Sequence, residues 1–99
     1  MLNSVNLMGR LTDDPVLRQT QDNVSVTTFT LAVNRIGKTD EADFIDIVCW
    51  RGTAEHVAKH FVKGSKVVLS GALQTRTWQD KYSNNRKAVE VIADEVWFC

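Results

Sequence analysis

Two histidines, His56 and His60, stand four residues apart, the spacing at which side chains share one face of a helix and could grip a metal ion. The protease form of that motif needs a glutamate at position 57, where this chain has Val57, and no third ligand accompanies the pair. Lys59 and Lys63 fall on the same face, and Glu55 precedes Lys59 by four, so the segment reads as an ordinary solvated helix surface. Asp40, Glu41, Asp43 and Asp46 form the acidic cluster of the chain, but their spacing matches no calcium loop. Asp40 to Asp43 read as a solvated loop, whereas Asp46 lies in an apolar run, where a lone carboxylate is costly without a partner. Gly64-Ser65-Lys66 lacks the earlier glycine of a phosphate loop, and no G-x-S-x-G elbow occurs. The residues offer no catalytic group, no metal site and no cofactor site.

Flat side chains interleaved with cations are the other chemistry in the chain. The 12 basic and 12 acidic residues cancel, yet residues 1–50 hold four basic and seven acidic side chains against eight and five in residues 51–99. The positive field is densest in QTRTWQDKYSNNRK, residues 74–87, where Arg76, Lys81, Arg86 and Lys87 face only Asp80 and alternate with Trp78 and Tyr82. An exposed base needs an aromatic face to stack on and a cation near its phosphate. Phe44, Trp50 and Trp78 suit the first role. Phe44 and Trp50 share a parity in one apolar run, and Arg76 and Trp78 share one in another, so each pair would project from one sheet face. Phe29, Phe61, Trp97 and Phe98 read as core, and for Phe44 core packing competes with the stacking role.

The elements that must position these residues are mostly strands, because most of the chain has period two. Leu2 to Leu11 form a first strand, broken by Asp13-Asp14-Pro15, and Val16 to Thr20 continues it or pairs beside it. After Gln21-Asp22-Asn23, residues 24–35 give a β-branched strand. Residues 36–42, with their glycine and charges, read as a loop before a strand from Asp43 to Arg51 that is apolar on both faces. Ala54, Val57, Ala58, Phe61 and Val62 then repeat at helical spacing for about ten residues, stopped by Gly64. Lys66 to Gln79 is a long strand, and a polar hairpin at Ser83-Asn84-Asn85 leads into Lys87 to Phe98. Five strands with a helix between the third and fourth is the order of an OB-fold, a Greek-key barrel, within an all-β class. Gly9 and Gly71, inside strand patterns, permit the coiling that closes such a barrel. The 99 residues make one domain from end to end. No apolar run approaches the roughly 18 residues of a membrane span, and the first residues lack a basic stretch leading into a hydrophobic segment, so export is not expected. Cys49 and Cys99 read as reduced thiols of a cytoplasmic protein.

Four blocks carry a resemblance: LNSVNLMGRLTDDPVLRQT near the start, TFTLAVNR at 28–35, ADFIDIVCWRGTAEHVAKHFVKGS at 42–65 and GALQTRTWQD at 71–80. In this order they resemble the bacterial-type single-stranded DNA-binding family, phage and plasmid members included. The resemblance implies an OB-fold assembled as a homotetramer that coats single-stranded DNA in replication, recombination and repair, in the bacterial cytoplasm or nucleoid or in the host cytoplasm if phage-encoded. It implies stacking by Phe44, Trp50 and Trp78. It implies phosphate contacts by Arg10, Arg18, Arg35, Arg51 and Arg76, joined by Lys63 and Lys81. The alternatives are a primosomal or RNA-binding OB module and a protein-interaction module. Two departures stand out. The family often has an aromatic where this chain has Ile36, and it usually continues into a polar tail with an acidic tip, whereas this sequence stops at Trp97-Phe98-Cys99. Partners recruited through such a tail are not expected from these residues.

Overall fold

The computed structural model describes residues 1–99, the side chain of residue 39 excepted. Strands run over Val5–Leu11 (β1), Val16–Gln19 (β2), Ser25–Arg35 (β3), Lys38–Trp50 (β4), Lys66–Gln79 (β5) and Asn85–Phe98 (β6), with the helix Arg51–His60 (α1) between β4 and β5. Their ladders close a ring in the order β1-β5-β6-β4-β3 and back to β1. The single parallel contact joins β4 to β6 from Ile47↔Val91 to Cys49↔Ala93. Five ring strands with a helix before the fourth make an OB-fold, as the element order predicts.

β2 explains why the run after Pro15 is ambiguous in sequence. β1 ends on β3 at Leu11↔Leu31, and β2 resumes along the same edge of β3 at Val16↔Thr28. Five steps on one side therefore oppose three on the other, and Thr12–Pro15 takes up the excess as an interruption, stitched by the Thr12 amide donating to the Thr30 carbonyl at 3.0 Å. The run both continues the first strand and pairs as a strand of its own.

Three boundaries differ from the sequence reading. Residues 38–42 are strand, not loop, because Ile36-Gly37 turns the chain in two residues with Gly37 at φ 77°. This ribbon stands in water beyond the barrel, so no apolar alternation marks it. Arg51 opens the helix rather than ending a strand, and it does so at φ 56°, a left-handed conformation uncommon for a side-chain-bearing residue. The helix ends at His60, with Phe61 already extended at φ −115°, so Phe61 still turns inward while Val62 is left 61% exposed.

Alternation builds the core. Ser25, Thr27, Phe29 and Leu31 of β3 point inward, met by Ile45, Ile47 and Cys49 of β4, Val67 and Leu69 of β5, and Val91 and Ala93 of β6. Full burial of each large aliphatic contributes about 1.5–3 kcal/mol. α1 plugs one end with Ala54 and Val57, and Phe61 after it meets Phe98 at 4.5 Å between ring centroids, although Phe98, like Trp97, is exposed rather than core as its place in an apolar run suggests. Among the described residues, the one inward hydroxyl that is almost wholly enclosed, Thr27, donates to the Val16 carbonyl at 2.7 Å. The helix is tied to β6 by the Thr53 hydroxyl donating to the Asp94 carbonyl at 2.9 Å.

Two glycines are required by closure. A Cβ at Gly9 would stand 2.3 Å from the Ala32 carbonyl oxygen, where β1 crosses β3, and one at Gly71 would stand 2.0 Å from the Ile92 oxygen at the β5–β6 bulge. Both obstacles are backbone, which cannot rotate aside. Gly71→Ala is therefore expected to lower stability by at least about 2 kcal/mol in urea denaturation; an unchanged midpoint would show that the bulge relaxes freely.

Cys49 is enclosed in the core and desolvation pushes its thiol up to about 12, from 9.0 in water. The folded chain keeps this proton when the unfolded chain has lost it. Stability is thus full below pH 9 and declines as pH rises toward 12, by at most about 1.4 kcal/mol per unit. At pH 8 a disulfide reagent should modify the exposed Cys99 of the native chain and reach Cys49 only in denaturant.

Candidate nucleic-acid interface

The residues of β4 that face away from the core are Phe44, Asp46, Val48 and Trp50. Their cross-strand partners on β3 are Ala32, Thr30, Thr28 and Val26. Phe44 and Trp50 therefore project from the same outer face, about 20 Å apart along the strand at 3.3 Å per residue. They are 69% and 42% exposed. Arg10 of β1 lies beside Ala32 and Arg18 of β2 beside Val26, so each aromatic has an arginine two strands away in its own row. Val48 is buried although it points outward, flanked by Thr28 and Ile92 on the neighbouring strands, and with Thr28 it lines a groove.

The far wall of the groove is the β5–β6 ribbon. Arg76 and Trp78 share one face of β5, opposite Ala88 and Arg86. The Arg76 guanidinium carbon sits 4.6 Å from the centre of the Trp78 ring, a cation–π arrangement. The groove encloses about 470 Å³ and brings together Arg18, Thr28, Thr30, Asp46, Arg76 and Glu90. Asp46, whose partner the sequence leaves open, accepts the Thr30 hydroxyl at 3.4 Å and is exposed.

Other sequence-derived candidates lie at the margins. Arg35 is turned to Asp43, its Nε donating to Oδ1 at 3.0 Å, with Glu41 at 3.7 Å; by alternation Asp43 lies on the face of β4 opposite to Phe44. Arg51 follows Trp50 directly but lines a separate hollow with Gln19, Asp22 and Glu55. Lys63 borders the groove through its amide, which donates to Asp14 at 2.7 Å. Arg10 donates from Nη1 to the Gly64 carbonyl at 3.0 Å. Lys81 stands at the ribbon tip, its ammonium 5.1 Å from the Tyr82 ring. His56 and His60 have ring centroids 4.8 Å apart on α1, and no group of three or more metal-ligating side chains occurs among the described residues. Tyr82, 71% exposed, and Arg86, directly across from Trp78, lie on the same ribbon; the sequence reading includes both in the cationic, aromatic segment 74–87 without giving either an individual role.

The ribbon tip is organised by Asp80. Its Oδ1 accepts the amides of Tyr82 and Asn84 at 2.9 and 3.0 Å, and its Oδ2 accepts Arg86 Nε at 2.9 Å. The Asn84 amide above all, with help from Arg86 and Tyr82, holds the carboxyl below its ordinary 3.8. Because the folded state favours the ionised form, this contribution is complete above about pH 4 and disappears as pH falls through the lowered value. Amide exchange at Tyr82 and Asn84 should accelerate over that acidic range, and Asp80→Asn should produce the same acceleration at pH 7.

A five-stranded barrel with aromatics and arginines spread over one outer face is an OB-fold of the oligonucleotide-binding class. The sequence matches the Single-strand binding protein family over residues 2–99, and the chain belongs to that family. It is 53% identical to a "Single-stranded DNA-binding protein" of Caldanaerobacter subterraneus subsp. tengcongensis, covering 99% of this chain and 68% of that protein. It is 47% identical to proteins of the same description from Bacillus cereus and Staphylococcus aureus strain N315, over 99% of this chain and 60% and 65% of theirs. The chain thus spans about two-thirds of the length of these curated relatives.

Proposed function

We propose that this domain binds single-stranded DNA without sequence preference, coating it during replication, recombination and repair, by stacking and phosphate neutralisation and without catalysis. The observation that carries the reading is the single outer face on which Phe44, Trp50 and Trp78 stand with Arg10, Arg18 and Arg76. Bases offer flat faces of any sequence to such aromatics, while the arginines follow the phosphates. Family membership and the printed names of the relatives support the same reading. Arg51, Lys63 and Lys81 extend the cationic margin, and Arg35 joins it when its carboxylate partners are displaced. The place of work is the cytoplasm, where both cysteines stay free thiols.

The domain assembles as a homotetramer in this proposal. Support comes from the outer row Met8–Val68–Trp97 across β1, β5 and β6, where Met8 and Trp97 are 52% and 48% exposed. Apolar side chains in adjacent rows gain by burial against a second copy.

Titration with poly-dT should quench tryptophan fluorescence, with log affinity falling by about 0.7 per neutralised phosphate against log salt. Trp50→Ala and Trp78→Ala should each weaken binding by about 1–3 kcal/mol, roughly one to two decades. Duplex DNA and RNA should compete poorly, and light scattering should find four chains of 11.2 kDa. Normal affinity in both variants would remove the stacking mechanism; preferential binding of RNA would favour an RNA-binding module, and absent quenching a protein-interaction module.

A further inference from the structure

Arg76 makes two contacts at the centre of the interface. Its guanidinium lies over the Trp78 ring, 4.6 Å from the centroid, and its Nε is 3.9 Å from Oε2 of Glu90 on β6. The two ends of the ion pair differ in environment: the Arg76 side chain is 58% exposed and that of Glu90 only 15%. The carboxylate is thus the more enclosed partner, and the guanidinium the one more open to an incoming ligand. Asp46 adds to its field, since Asp46 and Glu90 each stand one residue before the parallel pair Ile47↔Val91 on adjacent strands and line the same groove. A surface meant for a polyanion is therefore lined by four carboxylates, those of Asp13, Asp14, Asp46 and Glu90. Moreover, a guanidinium laid on an indole occupies a face on which a base could stack.

We propose that Glu90 is a positioning residue that sets the affinity of this interface: it holds Arg76 over Trp78, so that the chain's own carboxylate competes with a phosphate of single-stranded DNA for that guanidinium. The proposal rests on the single-stranded DNA reading above. On binding, Arg76 leaves Glu90 for a phosphate and uncovers the indole face, and the freed carboxylate gathers a cation from solution. That uptake offsets part of the counterion release from the DNA, so the salt dependence is shallower than the number of phosphate contacts alone would give.

Glu90→Gln removes the charge and keeps the shape. In fluorescence titrations with oligo-dT near 0.1 M salt, it should bind about two- to fivefold more tightly than the parent chain, the size expected for release of one partly exposed ion pair. Its log–log salt slope should be steeper by a fraction of an ion, bounded by the roughly 0.7 of one phosphate. Glu90→Asp, which retains the charge on a shorter arm, should give a smaller gain in the same direction. The gain should vanish in an Arg76→Ala background. Glu95→Gln makes the same change in net charge on β6 at a carboxylate with no ion pair among the described residues, and should leave affinity within error. Equal gains from Glu90→Gln and Glu95→Gln, a gain that survives Arg76→Ala, or weaker binding by Glu90→Gln would overturn the proposal while leaving the DNA reading intact. Failure of the parent chain to bind oligo-dT would overturn both.

Discussion

Everything in this molecule depends on how closely β1 can approach β3. β1 pairs with β5 over six residues but reaches β3 through only Arg10↔Ala32 and Leu11↔Leu31. That short seam turns a sheet with two edges into a barrel. It forms because Gly9 presents no Cβ to the Ala32 carbonyl, and because Leu11 and Leu31 are both buried just inside it. The same seam sets Arg10 in the row of Phe44. A steric condition on one backbone crossing thus decides both whether the core is enclosed and which cation lies next to which aromatic.

β4 shows how one strand serves the core and the interface together. Its inward residues Ile45, Ile47 and Cys49 are committed to the barrel, and its outward residues carry two of the three candidate stacking aromatics. A slip of one residue would exchange the sets, exposing isoleucine and burying a tryptophan, so core burial also enforces the orientation of Phe44 and Trp50. The ribbons beyond the barrel lack such enforcement. Their geometry is set locally instead: by the positive-φ turn at Gly37 on one, and by the hydrogen bonds of Asp80 to two amides and Arg86 on the other.

Net charge is a poor guide to this surface. The balance of 12 against 12 reflects arginines that are set beside carboxylates within the chain, as in Arg35 with Asp43, Arg86 with Asp80 and Arg76 with Glu90. Such pairs are worth little to stability when exposed. In the proposed recognition of DNA, an incoming phosphate would meet cations that already have partners.

The strands of the barrel, the helix and the parity of Phe44 with Trp50 and of Arg76 with Trp78 were legible in the sequence, because periodic burial writes a period of two or 3.6 into any element with one face in a core. The extension of β4 back to Lys38 was not, since a ribbon wetted on both faces has no such period. Nor could the sequence say that Val16–Gln19 resumes the line of β1, because that depends on an edge of β3 that exists only after folding. The joining of β4 and β5 aromatics into one face, the partner of Asp46, the turning of Arg35 away from Phe44 and the placing of Arg76 between Trp78 and Glu90 were decided by tertiary structure alone. Each is a relation between strands distant in the chain, whereas local spacing specifies only which way a side chain points from its own strand.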